Sequence, residues 1–508
     1  MTSFEETMTP ASSRITPVTH TLLHRFVAVF GGMVALVHAM PSPAGTVIFD
    51  VIGETDDLPA TRLHLVSGAF ESVRAEALLE LDDFPLGGGA LVNLEVTQFQ
   101  VTAPGAHLVI GTTEGDVPVP YPEVALFRGH APQWPDSWVF LGITPDRVNG
   151  IIHLSDDTEY IIAPVPERLA SGEPDDHVIY DRFLLGDDLP FPPLECRPVE
   201  RPDRPGARQS GRRGSPSSAY ERRVGWIGVD CDWEFRILFL THGDAMAYAV
   251  EVLAVTHMIY ERDVDVRMYV NYLRVWDVPN DPYVATDLED ALEEFEDVWN
   301  EQLGHVSKDV AHLLSGRRLG GGIAYLDVLC DGFGVSGNFR GTFPRPPRDR
   351  QPGNWDIKVV QHEIGHNFGS PHTHCYDPPI DTCAGEGWDC PHPQVCQVGT
   401  LMSYCNLCPG DTRNVDLKFH PRVISEELRE DVDCMRLVMN DVFVDYRNTE
   451  YEDGQRESPY NRVFKGVFGC LPSGTISVAP GNYPETMSIT QPMKIQRWGD
   501  TGVVTIGR

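Results

Sequence analysis

Gln361 to His372 reads QHEIGHNFGSPH, and its residue types and spacing point to one piece of chemistry. His362 and His366 stand four apart, about one turn along the same face of a helix. Two neutral imidazoles so placed can converge on a single Zn²⁺ ion. Glu363, between them, brings a carboxylate beside that metal, where it can take a proton from bound water. Gly369 allows a sharp turn, because glycine reaches backbone angles that other residues avoid. The turn returns His372 as a third ligand. Three protein ligands leave a fourth position for water, the arrangement of a catalytic rather than a structural zinc site. A bare HExxH arises by accident in many chains, but the added glycine and third histidine make an accident rare. One catalytic zinc ion is therefore expected on His362, His366 and His372, with Glu363 as the general base.

With those residues in hand, the chain resembles the metzincin clan of zinc metalloproteases. HExxHxxGxxH is that clan's zinc motif, matched at all five fixed positions. The resemblance implies a methionine turn beneath the metal. GTLMSYC supplies it with Met402, thirty residues after His372. Within the clan the similarity is closest to the reprolysin or adamalysin group. It extends over Ile259–Val270, Val306–Cys330 and a propeptide-like stretch, Pro135–Pro164, so it covers about 110 to 440. Two positions depart from the reprolysin pattern. Thr373 stands where an aspartate usually follows the third histidine. Tyr404 lies two residues after Met402, where other metzincins carry a tyrosine that can approach the zinc. Tyr404 is thus either a catalytic group that steadies the oxyanion or an aromatic packed in the turn.

The implied activity is hydrolysis of internal peptide bonds in protein or peptide substrates, with the enzyme's own propeptide as inhibitor. The Gly321–Cys330 strand is implied to hold an extended substrate by backbone pairing. Reprolysin-like zymogens are often silenced by a propeptide thiolate on the zinc. Cys196 is the one cysteine of the presumed propeptide, and it leaves ten others, an even number, for pairing. It is a candidate cysteine switch, or else it pairs with Cys231 or another cysteine. Cys405 and Cys408 form a CxxC that, in a cysteine-dense loop, is expected to serve disulfides. The rival reading is a non-catalytic adhesion or binding protein on the same fold; an intact Glu363 argues against it.

Stepping outward, Asn354–Phe368 has helical spacing and stops at Gly369, so it should carry the first two histidines. Ala245–Tyr260 is a second helix, Val264–Trp276 an alternating strand, Asp287–Gln302 an acidic amphipathic helix and Gly321–Cys330 a strand. These alternating elements predict an α/β fold, the α+β metzincin catalytic domain, over 224–441. Residues 45–196 show short apolar runs between turns and read as a mainly β propeptide-like domain. The Arg/Pro-rich 197–223 stretch reads as an exposed processing linker with dibasic pairs at Arg212-Arg213 and Arg222-Arg223. Residues 442–508 hold four short β-like runs and resemble the first rungs of a parallel β-helix. Such repeats need about three rungs, so this segment should pack on the enzyme, pair with a partner, or mark an interrupted reading frame.

The 508 residues carry 74 acidic and 40 basic side chains, a formal charge of -34, which argues against nucleic-acid or anionic-membrane partners. Eleven cysteines, six of them between Cys375 and Cys408, suit an oxidising compartment. Residues 1–39 read as a signal peptide, with an apolar run from Phe26 to Val37 behind Arg14, His20, His24 and Arg25. A membrane anchor or a buried helix are the alternatives, although the run is too short to span comfortably. A secreted, extracellular protein with no stable membrane span is expected. The many carboxylates make calcium possible, but no ligand spacing supports a site.

Overall fold

The computed structural model describes residues 46–507, apart from 56–58, 156–157, 166–175, 185–193, 202–221, 344–353, 431, 451, 486–488, 490–491 and 500. The expected leader, 1–39, lies outside the described residues, and so does most of the expected linker. Among the described residues, no helix is long and apolar enough to cross a membrane.

Most of the 49–181 segment forms one antiparallel sheet. Its strand order is Phe49–Glu54, Ala60–Leu65, His177–Asp181, Thr158–Pro164, Val148–Ser155, Trp138–Ile143, Ala125–His130, Ala90–Phe99 and Leu78–Gly87. Its central strands are apolar on both faces, because both faces are covered. Val139, Leu141 and Ile152 turn into the sheet's own core, while Phe140, Ile151 and Ile161 turn into a core shared with the metal-binding half.

The second sheet is mixed and contains β1 (Thr102–Thr112), β2 (Gly115–Pro118), β3 (Glu195–Val199), β4 (Arg223–Cys231), β5 (Val266–Trp276), β6 (Val310–Leu314), β7 (Gly321–Tyr325) and β8 (Gly332–Ser336). The spatial order is β3-β7-β8-β6-β4-β5-β1-β2. Strands β5, β4, β6 and β8 run parallel, and β7 is antiparallel to β8. The three longest helices among the described residues are α1 (His242–Val264), α2 (Leu288–Leu303) and α3 (Trp355–Asn367). Each begins at an oxygen-bearing cap that satisfies a free backbone N–H of the first turn: Thr241, Asp287 and Asn354 accept from Asp244, Asp290 and Ile357. Helix α1 is buried on nearly every side, so its sequence shows little of the one-faced pattern that α2 displays.

The sequence-based boundaries need correction in three places. The 45–196 stretch does not keep to itself, since β1, β2 and β3 leave it to join the metal-binding sheet at both ends. The Arg222-Arg223 pair is no part of an open linker: Arg223 opens the central strand β4 and pairs with Asp433, and Arg222 lies near Glu261 and Asp265. The Gly321–Cys330 strand ends at Tyr325, because Asp327 and Cys330 adopt positive φ angles of 57° and 70°, incompatible with extended backbone.

The C-terminal stretch forms small parallel pairings. Met439–Val444, Cys470–Val478 and Lys494–Arg497 make one sheet, and Gly481–Tyr483 and Val504–Ile506 another. This stretch packs on the rest of the chain: Phe468, with Val438 ahead of the stretch, shares a core with Ala103, Val224, Trp226 and Tyr269. Four disulfides link Cys330–Cys434, Cys375–Cys390, Cys383–Cys405 and Cys396–Cys408. Cys405 and Cys408 thus enter separate bridges, as expected for a disulfide-bonded CxxC. Cys196 and Cys231 remain buried thiols.

Candidate metal centre

Helix α3 carries Lys358, His362 and His366 at four-residue intervals, on one face. It ends at Asn367, and Gly369 takes φ 99°, a left-handed conformation that favours glycine. That turn brings His372 back under the helix. Ring centroids lie 4.7 Å apart for His362–His366, 5.2 Å for His362–His372 and 4.8 Å for His366–His372. One ring nitrogen from each falls within 4.8 Å of the others, a group that could hold a metal ion.

The tautomers are set from behind. His362 Nδ1 donates to the Leu401 carbonyl at 2.6 Å, and His366 Nδ1 donates to that of Ser370 at 2.7 Å. Their Nε2 atoms, and that of His372, are buried without a hydrogen-bond partner. Three orphaned lone pairs in a dry site would each cost free energy unless a cation meets them. Burial pushes His362 and His372 well below the usual histidine range and His366 down to about 4, so the imidazoles are neutral as ligation requires. The donor set fits Zn²⁺.

Met402 lies in a tight turn closed by Ser403 N–H to the Thr400 carbonyl at 2.8 Å. Its sulfur packs against Gly365, where a Cβ would come within 2.5 Å of it. The same turn supplies the Leu401 carbonyl to His362 and the Met402 carbonyl to the Thr373 N–H, so it braces two of the three ligands. Thr373 donates its hydroxyl to Asp381, which is buried eight residues on and also accepts from Cys383 N–H. A carboxylate therefore stands behind the third ligand after all, delivered from a later loop.

Glu363 is fully buried, and burial pushes its carboxyl up to about 8, against the lowering pull of Cys196 and Lys358. It lies over β7 at Gly322, where an added Cβ would come within 2.4 Å of Oε1. Across β7 from β8 sits β3, paired in parallel register from Glu195↔Gly321 to Val199↔Tyr325. The strand expected to hold substrate is thus occupied by the chain itself. Cys196 Sγ, a ring nitrogen of His362 and a carboxyl oxygen of Glu363 lie within 4.8 Å of one another. Burial, then the charge on Glu363, push the Cys196 thiol well above its ordinary range.

Tyr404 closes the site from the other side. Its ring lies 4.2 Å from His372 and 6.3 Å from His362, with Trp388 edge-on at 4.9 Å. Its hydroxyl donates to the Cys196 carbonyl and accepts from the Cys196 N–H at 3.3 Å. Sequence reasoning did not reach Lys358, Asp381 or Trp388. Lys358 could have been found from its place four residues before His362, on the same face of the helix. The other two depend on loop folding that no spacing reveals.

Residues 220–415 match the Reprolysin_5 model of metallo-peptidase family M12. That stretch is thus similar to a metzincin-like metallopeptidase domain. Among solved structures, the chain is similar to metalloproteinase-II from Bacteroides fragilis at 14% identity and TM-score 0.39, over 72% of this chain and 94% of that one. A chain from a chaperone-substrate complex matches at 14% identity and TM-score 0.22, over 30% of this chain and 24% of that one. No curated protein matches. The motif and the family model thus point to the same stretch of a mixed α/β, disulfide-bonded chain.

Proposed function

We propose that the protein is a secreted zinc-dependent endopeptidase made as a zymogen, with β3 as its built-in inhibitor. One observation carries this reading: three buried, unpartnered imidazole nitrogens converge beside Glu363, and the chain's own strand lies across them. His362, His366 and His372 would hold the ion. Zinc, when bound, supplies Lewis acidity toward the scissile carbonyl and the attacking water. Glu363 takes the proton of that water and passes it to the leaving amine. The dry surroundings of Glu363 suit both halves of that exchange, because burial raises its proton affinity. Strand β7 offers backbone groups to an extended substrate once β3 has left. Tyr404, whose hydroxyl now holds the Cys196 carbonyl, serves as a donor to a substrate carbonyl in the same place.

Cys196 supports the zymogen reading by its position near His362 and Glu363. Its thiol, once deprotonated, is a strong zinc ligand that would take the fourth position. Secretion rests on the apolar leader and on the four disulfides.

The test compares wild type with Glu363→Gln on a generic protein substrate, together with zinc content. The substitution should lower turnover by roughly 10²- to 10⁴-fold while zinc stays at one per chain. Equal activity in the two proteins refutes the mechanism. For the switch, Cys196→Ser should make the uncut chain active; full latency in that variant rules the switch out.

A further inference from the structure

Lys358 is an anomaly in the groove. Its side chain is 2% exposed on the ligand-bearing face of α3, and its ammonium makes one hydrogen bond, to Asn406 Oδ1 at 3.2 Å. It forms no ion pair among the described residues, although its charge acts on Glu363 and Cys196, and the Trp355 ring lies 5.5 Å away. A buried ammonium is retained at a cost in stability unless an anion meets it. The bridging amide shows where such an anion would arrive, because Asn406 Nδ2 donates to the Leu194 carbonyl at 3.2 Å. Leu194 and Cys196 are the buried positions of this extended segment, whereas Arg197 between β7-paired neighbours points outward. The Lys358 charge therefore lies on the side of the groove that Leu194 and Cys196 occupy, acting on Cys196 and reaching the Leu194 backbone through Asn406.

We propose that Lys358 is a specificity-determining residue, selecting peptides that carry Asp or Glu where Leu194 to Cys196 now lie, one or two residues from the scissile bond. The inference rests on the peptidase reading above and adds its substrate class, acidic peptides. The resident strand lacks the acid, so it leaves Lys358 to Asn406 and a substrate bearing one competes well for the groove.

Two measurements test it. In the uncut full chain, Leu194→Glu supplies the missing acid and Leu194→Gln is its uncharged isostere. Labelling of Cys196 by a maleimide, read site by site, reports how often β3 opens. Glu should slow labelling on the order of ten-fold relative to Gln, and Lys358→Gln should erase that difference. Equal rates for Glu and Gln, or a difference that survives Lys358→Gln, overturn the proposal. In hydrolysis by the zinc-loaded Cys196→Ser chain, peptides with Glu beside the scissile bond should exceed their Gln counterparts by about ten-fold in kcat/KM, and Lys358→Glu should turn the preference toward Lys. Cleavage without an acidic preference overturns the role of Lys358 alone. Failure of this chain to cleave any peptide rules out the switch, as stated above, and the labelling experiment then still decides what Lys358 binds.

Discussion

Tyr404 is the residue whose role the structure narrows most. Its ring packs between His372 and Trp388, and its hydroxyl reaches the backbone of Cys196. Tyr404→Phe keeps the packing and removes the hydroxyl, so zinc content and melting temperature should hold. Turnover should fall by roughly ten- to a hundred-fold if the hydroxyl stabilises charge at the reacting carbonyl. Unchanged turnover assigns Tyr404 to packing. The clustering of His362, His366 and His372 beside Glu363 was legible in the sequence because one helix and one glycine turn fix their relative positions within twelve residues. Asp381 was not, since its approach to Thr373 depends on a loop closed by disulfides. Gly322 likewise reads as any strand glycine until Glu363 is seen resting over it.

The helices were legible at the scale of elements for a similar reason. Caps at Thr241, Asp287 and Asn354 and periodic apolar faces are local signals, and the helices start within a few residues of where the sequence puts them. Sheet membership was not legible. The runs that became β1 and those of the antiparallel sheet have the same period, and only tertiary packing decides between them. Helix α3 carries a testable pH dependence. Asp356 in its first turn accepts from the Tyr248 hydroxyl at 2.8 Å and from the backbone N–H groups of Arg340 and Gly341. Burial nonetheless pushes its carboxyl up to about 6. An acid raised above its unfolded value of 3.8 binds its proton more tightly when folded. Its contribution to stability is therefore complete below that value and lost as pH rises to about 6, on the order of 2–3 kcal/mol. Asp281 and Asp309, also raised to about 6, act in the same direction. Asp356→Asn should flatten the slope of unfolding free energy between pH 4 and 6; a slope equal to wild type contradicts this.

For the whole molecule, the decisive fact is that one sheet is built from both halves of the chain. Strands β1 and β2 extend it beyond β5, and β3 covers its opposite end. Arg182, buried at the end of the antiparallel sheet, pairs with Asp416 and donates to the Arg413 carbonyl in the loop after the methionine turn. The N-terminal half is thus held by more than β3. Cutting the chain at a protease site placed within 202–221 should leave both fragments in one peak on size exclusion, separating only in denaturant. Spontaneous separation would show that β1 pairs too weakly to matter. Release of β3 and release of the whole N-terminal half are, on this geometry, two events.

Strand β3 has one more consequence, which concerns solubility. An edge strand with unpaired N–H and C=O groups is a template on which other chains add. While β3 is in place, the β7 edge is paired, and the sheet ends instead at a short strand that carries Pro198 and the exposed Arg197, poor material for adding a further chain. If β3 is released, as the zymogen reading proposes, the backbone groups of β7 face water. Every activated molecule would then be sticky toward its siblings as well as toward its substrates. Storage should favour the uncut form, and activated protein should lose soluble material with concentration until a peptide is added to cap the strand again.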